Sequence, residues 1–531
     1  MHSRTRPSGF RLRRCPYKAI ETAHDAHAPT ADDGDEFKES DKIRFQLLED
    51  IFHQDFLSKL PIDYVERVED LANPRIPAGY TYLGQLIAHD LAFHDFQRTS
   101  FDRREPVPSF PRSVSLDLDC IYGGGPNVRP WLYCLDGRQS SDGTRLLLGR
   151  NRIANAPRGH LDYGRKREDI PRVPSPIHGT EPDSPVLFDP LVADPRNDEN
   201  LILSQLTVFF IKLHNAIVDR LERDDDALTA ARQGDWADRS LFELARHLTG
   251  HCYRMIVVED YCDKVLDGEV RARLLSSLGL GEADVEHEAL CLPDEDDFEA
   301  FWAAAFRVGH AMIDKAYQYN RTHTDDAHGF QPAFLEELLD QTDPEKKKVP
   351  ITEDWIIDWS RFFFDPQNAE SPPSRNLSRR FIPRMVNELD ARTKAEDCKG
   401  NLAYRDLARA HQHRVPNGQV MALKHDCDVL APQFIDAWAN MIPAEAPGRQ
   451  ELDNVGSDTP LLFYILCESS LPPTRGLSLG PLGSTILAKV FLSALAPFDL
   501  AQDEALFKRT FGTASRRSMQ ALIEFERRAT A

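Results

Sequence analysis

The sequence lacks the features that mark membrane-spanning, secreted or nucleic-acid-binding chains. Its 531 residues include 64 Lys or Arg against 85 Asp or Glu, a formal net charge of −21. A nucleic-acid surface needs clustered basic residues, so this deficit argues against one. No apolar run approaches the ~20 residues that span a bilayer, and no apolar stretch follows the basic N-terminus as in a signal peptide. We therefore expect a soluble, cytoplasmic protein with no integral membrane segment and no nucleic-acid partner.

Cysteine is sparse and irregularly spaced. The nine cysteines are an odd number and show no Cys-x-x-Cys pair or other metal-ligand spacing. This pattern disfavours a disulfide framework and a zinc site. Most of the cysteines are expected to be reduced thiols.

The hydrophobic residues, 41% of the chain, are enough for a large core and are spaced as in helices. Four long segments show this spacing: 201–221, 298–316, 351–364 and 477–495. Period-two alternation over strand length is rare, so the sequence predicts a mainly α fold with long loops and very little sheet. Three parts are predicted: a flexible extension at 1–38, one large helical domain at 39–515 and a C-terminal tail at 516–531.

The first motif with chemical content is GQLIAHD at 84–90. Gln85 and His89 are four residues apart, so a helix places them on one face. Asp90 lies about 100° further round the helix. This geometry suits His89 for an active site and Asp90 for a structural tie. The alternative is a surface helix with an ordinary hydrogen-bonded histidine.

The second motif is an alternation of oxygen-bearing side chains at Ser113, Ser115, Asp117 and Asp119, followed by CIYGGGP. In an extended segment all four would point the same way. Ca²⁺ takes six to eight oxygen ligands, and two carboxylates on one face repel each other without a cation. The pattern predicts a calcium site with Asp90 as a further ligand. The alternative is a half-buried strand with a polar outer face.

The third motif, DPRNDEN at 194–200, precedes the long apolar segment at 201–221. Arg196 could lie over a reacting oxygen as a fixed positive charge, with Glu199 near the same edge of a cofactor. The alternative is a helix start capped by Asn197 or Asp198, with an exposed arginine.

The fourth motif is RVGH at 307–310, within an apolar segment. His310 could bind iron, Gly309 would leave room for a flat ring, and Arg307 could meet a propionate one turn away. The alternative is a buried structural histidine.

These four blocks, in this order, resemble the animal-type haem peroxidases of the peroxidase–cyclooxygenase superfamily. That family shows a Gly-Gln-x-x-x-His-Asp block, a calcium loop ending in Tyr-Gly, an Asp-x-Arg block with a Glu three residues further on, and an Arg-x-Gly-His block. Four further segments are similar to its bacterial members: 401–407, 415–419, 459–466 and 479–486. The resemblance runs from about residue 42 to about residue 500.

The resemblance implies a haem peroxidase that reduces H₂O₂ and oxidises halides or small phenol-like donors through a ferryl intermediate. It implies these roles at the haem: His89 as distal acid/base catalyst, Gln85 as its pocket neighbour, Arg196 as distal arginine, His310 as axial iron ligand, Arg307 as propionate partner, and Asn376 as the asparagine that the family places beside the axial histidine. It also implies a calcium ion held by Asp90, Ser113, Ser115 through its carbonyl, Asp117 and Asp119.

Two departures from the family refine these expectations. Mammalian members attach haem through two esters, and Ala88 stands where the first ester-forming Asp would be, so haem b with at most one ester, through Glu199, is expected. Cyclooxygenase and fatty-acid dioxygenase branches carry a radical-forming Tyr three residues before the axial His, where this chain has Arg307. This favours a peroxidase over a haem-dependent dioxygenase acting on an unsaturated lipid or other organic substrate. A non-catalytic haem- or calcium-binding protein is the remaining alternative.

Overall fold

A computed structural model describes most of the chain. The described residues are 38–53, 71–91, 114–134, 143–154, 162–174, 188–281, 287–320, 333–334, 349–368, 375–386, 402–512 and 517–530. The predicted extension before residue 38 and the predicted calcium ligand Ser113 lie outside these ranges.

The predicted mainly α architecture is confirmed. The α-helices are α1 Glu39–His53, α2 Gly79–Leu91, α3 Asp119–Tyr122, α4 Leu201–Arg223, α5 Asp225–Ala231, α6 Leu241–Met255, α7 Cys262–Val265, α8 Gly268–Ser277, α9 Glu295–Ala303, α10 Leu402–Gln412, α11 Gly418–Lys424, α12 Pro432–Ala439, α13 Leu461–Ser470, α14 Pro481–Leu495, α15 Leu500–Phe511 and α16 Met519–Thr530. A π-helical stretch, Ile256–Tyr261, joins α6 to α7. Short 3₁₀ turns lie at Pro130–Leu132, Pro195–Asp198, Gly234–Trp236, Ala305–Met312, Glu353–Trp355, Trp359–Arg361 and Arg449–Leu452.

Sheet is minor in the part of the chain that the structure describes. It consists of three two-stranded antiparallel ribbons. The strands are β1 Ala72–Pro77 with β6 Leu377–Arg379, β2 Arg172–Pro174 with β3 Phe188–Pro190, and β4 Ala316–Tyr317 with β5 Ala333–Phe334. None of these ribbons is large enough to form a core, so the helices carry the packing.

Helix α4 lies at the centre of the fold and packs against α2, α6 and α16. It confirms the helix predicted at 201–221. Asn200 caps it by accepting a hydrogen bond from the backbone N–H of Leu203 at 2.9 Å. The helix is long and apolar enough to cross a membrane, but 89% of its apolar window is buried inside the protein. It therefore acts as the core against which the site-bearing helix α2 is placed.

One of the predicted helices is wrong in part, and another is wrong throughout. The segment 298–316 leaves the α-helix at Ala304, whose φ is −139°, and continues as the 3₁₀ turn Ala305–Met312. The segment 351–364 is not a helix, since it forms two separate 3₁₀ turns. Asp358 starts the second turn by accepting hydrogen bonds from the N–H and Oγ of Ser360. Such local bonding from an aspartate competes with a continuous helix.

The end of the chain packs against the core. Helix α14 begins at Pro481, whose fixed φ suits the first turn of a helix. Within the segment 516–531, set apart above as a tail, helix α16 packs on α4 and buries Met519 and Leu522 completely.

Candidate active site

Helix α2 carries the first candidate residues on its open face. Gln85 and Ala88 are the two residues of this helix that are partly exposed, and His89, on the same face, is 6% exposed. On the closed side, a Cβ at Gly84 would lie 2.7 Å from the Oη of buried Tyr261. Glycine therefore lets α2 approach Tyr261 closely. The face with Gln85 and His89 then points away from the core.

The ring orientation of His89 is set by Asn197. Nδ1 of His89 lies 2.9 Å from Oδ1 of Asn197, and Nδ2 of Asn197 donates to the carbonyl of Cys120 at 3.0 Å. The Cys120 carbonyl can only accept, so the amide oxygen of Asn197 must face the histidine. This network assigns the proton to Nδ1 of His89. Nε2 is then left with a lone pair, as a general base requires.

Arg196 is held rigidly beside the same histidine. It lies in the 3₁₀ turn Pro195–Asp198, and its side chain pairs with Asp194 through Nε at 3.0 Å and NH2 at 2.7 Å. Its NH2 also donates to the backbone carbonyl of His89 at 3.1 Å. The guanidinium is therefore fixed against the C-terminal end of α2. The capping role considered for Asn197 or Asp198 is wrong, since Asn200 caps α4 and Asp198 forms a buried pair with Arg172 at 2.7 Å.

Gln85 and Glu199 also meet. Nε2 of Gln85 donates to Oε2 of Glu199 at 3.3 Å, and Nδ2 of Asn200 donates to Oε1 of Gln85 at 3.1 Å. Glu199 is exposed, so this contact lies at the open edge of the site. The structure thus brings together four residues that the sequence motifs predicted: Gln85, His89, Arg196 and Glu199.

His310 lies on the 3₁₀ turn Ala305–Met312, which packs against α2. Its side chain is 28% exposed, and Nδ1 donates to Oδ2 of Asp406 at 2.6 Å. Nε2 is the remaining ring nitrogen available to a metal. A Cβ built on the neighbouring Gly309 would meet no atom within 4 Å. Open space next to a histidine with one anchored nitrogen fits an axial haem ligand.

Asp406 was missed as a site residue by the sequence motifs. It lies on α10, is 1% exposed, and accepts hydrogen bonds from His310 and from NH1 of Arg307 at 2.9 Å. Burial would raise the pKa of Asp406, but the adjacent His310 and Arg307 outweigh burial and hold the pKa below its usual range. The only sequence signal was the similarity of segment 401–407 to bacterial family members.

The assignment of Asn376 as the partner of His310 is wrong. Its Oδ1 accepts from the backbone N–H of Gln318 at 2.8 Å, and its Nδ2 donates to the carbonyls of Gln318 and Arg361. These backbone bonds tie β6 to the segment after β4. Arg307, predicted to meet a propionate, gives Nε to the carbonyl of Trp302 and NH1 to Asp406. A propionate contact through its third nitrogen stays a prediction.

The predicted calcium segment is bent rather than extended. Leu118 adopts a left-handed conformation with a φ of 62°, and Val114 is 52% exposed instead of buried. Asp90 holds the turn by accepting hydrogen bonds from the N–H groups of Leu118 at 3.0 Å and Cys120 at 3.3 Å. Left-handed backbone is strained for a leucine, so these two bonds stabilise the loop against α2.

The acidic side chains of this loop are not all arranged as one shared metal site. Asp117 accepts from the N–H of Asp119 at 3.2 Å and from Oγ of Ser115 at 3.4 Å, whereas Asp119 pairs with Arg246 at 2.8 Å. Burial, and then the negative charge of Asp117, raise the pKa of Asp90 to about 7. Within the described ranges, no group of three or more His, Cys, Asp or Glu side chains is arranged to hold a metal. Carboxylate and carbonyl oxygens are the kind of ligand that Ca²⁺ takes. Asp119, however, was predicted to bind the ion and instead pairs with Arg246.

Residues 150–355 match the sequence profile of a family described as animal haem peroxidase. The predicted resemblance to the animal-type haem peroxidase superfamily is confirmed. The matched segment contains Arg196, Glu199, Arg307 and His310, whereas Gln85, His89 and Asp406 lie outside it. The match supports haem binding and an oxidoreductase.

Similar proteins include thyroid peroxidase of Canis lupus familiaris, 25% identical over 198 residues, which are 37% of this chain and 18% of the relative. Dual oxidase of Drosophila melanogaster is 27% identical over 125 residues, 23% of this chain and 7% of the relative. The chain thus matches less than a fifth of either protein. Peroxidase A from Dictyostelium discoideum shares the fold, with a TM-score of 0.52 and 14% identity over 92% of this chain and 88% of that one.

Proposed function

We propose that this chain is a haem peroxidase that reduces H₂O₂ and oxidises small donors. The observation that carries the proposal is the state of His89. Its Nδ1 is hydrogen-bonded to Asn197, and its backbone carbonyl accepts a hydrogen bond from Arg196. Because both bonds fix the residue, Nε2 is an oriented base beside a fixed cation. A solvent-exposed or purely structural histidine needs neither constraint.

The chain's residues fit a haem in four ways. His310 would bind the iron through Nε2, with Gly309 leaving room for the ring. Glu199 would form one ester at most, and the third nitrogen of Arg307 would contact a propionate. Bound haem would supply the iron that takes two oxidising equivalents from peroxide and passes them to a donor.

His89 would then move the proton that makes peroxide cleavage productive. Nε2 takes the proton from the near oxygen of H₂O₂ and delivers it to the far oxygen, so that water leaves instead of hydroxide. This transfer uses the lone pair of Nε2, which is the unprotonated nitrogen in the neutral tautomer that Asn197 selects. General acid–base catalysis of this kind contributes about 10²–10⁴-fold to a rate.

Arg196 would stabilise the negative charge that develops as the O–O bond breaks. A guanidinium does not lose its proton in proteins, and Asp194 holds it in place before the reaction begins. A preorganised cation costs no reorientation during the reaction. Gln85 would help to position the peroxide from the open edge of the site, where Glu199 lies.

We also propose that Ca²⁺ binds the loop that braces His89, through Asp90, Asp117 and the Ser115 carbonyl, with Ser113 and Asp119 completing the predicted set. The Cys120 peptide connects this loop to the histidine. Its N–H donates to Asp90 and its carbonyl accepts from Asn197, which in turn orients His89. The same loop that would take the ion therefore sets the tautomer of the proposed base.

Calcium is expected to raise the thermal stability of this chain. At about 100 times its Kd, an ion that binds only the folded state adds about 2.7 kcal/mol to the free energy of unfolding. Thermal unfolding with Ca²⁺ and with a chelator measures the difference, which Asp117→Asn should largely remove. Asp219→Asn, in a half-buried pair with Arg145, is the matched control and should keep the full response. A wild-type chain insensitive to Ca²⁺ would contradict the proposal.

The proposed activity is tested on the full chain loaded with haem. We expect a Soret band typical of histidine ligation, a rapid spectral change on mixing with H₂O₂, and oxidation of a phenol that requires peroxide. Oxygen uptake with an unsaturated fatty acid in the absence of peroxide would show a dioxygenase instead. Bound haem with no reaction toward peroxide would show a non-catalytic haem protein.

A further inference from the structure

The axial side of the site contains a buried carboxylate, Asp406, that the sequence motifs did not predict. Asp406 receives a hydrogen bond from Nδ1 of His310 at 2.6 Å on one oxygen and from NH1 of Arg307 at 2.9 Å on the other. The three side chains come from two elements, the Ala305–Met312 turn and α10. The resemblance described above implies a neutral asparagine beside the axial histidine, and this chain has a carboxylate there.

A carboxylate acts on the histidine differently from an amide. Hydrogen bonds to an ionised acceptor are shorter and roughly twice as strong as neutral ones. A carboxylate that accepts from the outer nitrogen of a metal-bound histidine makes the inner nitrogen a more basic ligand. Arg307 donates to the other oxygen of Asp406, so the negative charge of the carboxylate is divided between two partners.

We propose that Asp406 is a positioning residue that makes His310 a strongly electron-donating ligand and thereby restricts the oxidised donors to phenol-like organic compounds, to the exclusion of bromide and chloride. This inference rests on the proposed haem peroxidase function. A more basic axial ligand stabilises the oxidised iron and lowers its reduction potential. A lower potential leaves less driving force for donors that hold their electrons tightly.

The two reactions differ in what they demand of the iron. With a phenol, 2 ArOH + H₂O₂ → 2 ArO• + 2 H₂O, so each of two donor molecules gives up one electron and one proton. With a halide, X⁻ + H₂O₂ + H⁺ → HOX + H₂O, so one ion gives up two electrons at once. Phenols are the more readily oxidised class, and a lowered potential therefore selects for them.

The test is Asp406→Asn in the haem-loaded full chain, which keeps the shape and a neutral acceptor. We expect the ferric/ferrous midpoint potential to rise by at least about 59 mV, the equivalent of a tenfold change in a one-electron equilibrium. The iron–histidine stretching frequency of the ferrous protein should fall, since the ligand donates less strongly. The ratio of bromide to phenol oxidation rates should rise about tenfold or more.

The chain offers a matched control for the loss of a buried carboxylate. Asp503 bridges His247 at 2.8 Å and Arg254 at 3.1 Å, as Asp406 bridges a histidine and an arginine. Asp503→Asn should therefore leave the haem potential and the donor ratio unchanged. A similar shift in both variants would overturn the proposal, because the effect would then reflect general loosening of the fold.

A second substitution is expected to shift the midpoint potential in the opposite direction. Arg307→Gln removes the cation that shares the carboxylate, so the full negative charge acts on His310 and the midpoint potential should fall. This arm decides the question if Asp406→Asn fails to hold haem. Unchanged potentials in a variant that keeps histidine ligation would overturn the role of Asp406 alone. A wild-type protein without histidine ligation would instead overturn the proposed function.

Discussion

Replacing His89 by alanine is expected to slow the reaction of the haem-loaded protein with H₂O₂ by about 10²–10⁴-fold, the range of a lost general acid–base catalyst. This is about 2.7–5.4 kcal/mol of transition-state stabilisation. Haem binding should be unaffected, because His310 lies on a different element. Stopped-flow absorbance at the Soret band, at several peroxide concentrations, measures the second-order rate constant.

A control separates this effect from the loss of any histidine. His413 is half-exposed and pairs with Glu299 at 2.9 Å. His413→Ala should react with peroxide at the wild-type rate. An unchanged rate in His89→Ala would show that His89 is not the base and would remove the main support for the proposed mechanism.

Asn197 provides a graded version of the same test. Asn197→Ala removes the acceptor that keeps the proton on Nδ1, so the ring can place its proton on Nε2 or turn away. The rate should fall, but less than in His89→Ala, because a base is still present. The ¹⁵N shifts of a histidine-labelled haem-free protein report the tautomer of His89 independently of catalysis. A wild-type tautomer with the proton on Nε2 would contradict the assigned network.

Local sequence patterns predicted which side chains lie together around His89, because helical spacing sets much of that geometry. Gln85 and His89 share a helix face in any α-helix, and Arg196 follows from a motif placed directly before a long core helix. These positions need only the period of the helix.

Tertiary contacts decided the features that the sequence did not predict. Asp406 is 96 positions from His310, and no local pattern shows that α10 brings it to the axial side. Asn376 was a candidate because the family resemblance places an asparagine downstream of the axial histidine, and its backbone partners could not be known from the sequence. The left-handed Leu118 is equally hidden, since its conformation depends on the two hydrogen bonds that Asp90 accepts from another element.

Replacing His310 by alanine is expected to abolish haem binding or to change the Soret spectrum strongly, because the iron loses its protein ligand. Titration of the haem-free chain with haem, followed by absorbance, measures the affinity. His247→Ala is the matched control, since that ring is also bonded to a buried aspartate, Asp503. Its haem affinity and spectrum should equal those of the wild type.

Added imidazole makes the His310→Ala result specific. The substitution leaves a space next to Gly309 and the Asp406 carboxylate, so a free imidazole can donate one N–H to Asp406 and offer its other nitrogen to the iron. We therefore expect imidazole to restore the Soret spectrum in His310→Ala and to do so less well when Asp406→Asn is added.

If Glu199 forms its single ester, haem will remain attached in His310→Ala and will be released only when Glu199→Gln is also present. A wild-type spectrum in His310→Ala without imidazole would contradict the axial assignment, and with it the haem site on which both proposals depend.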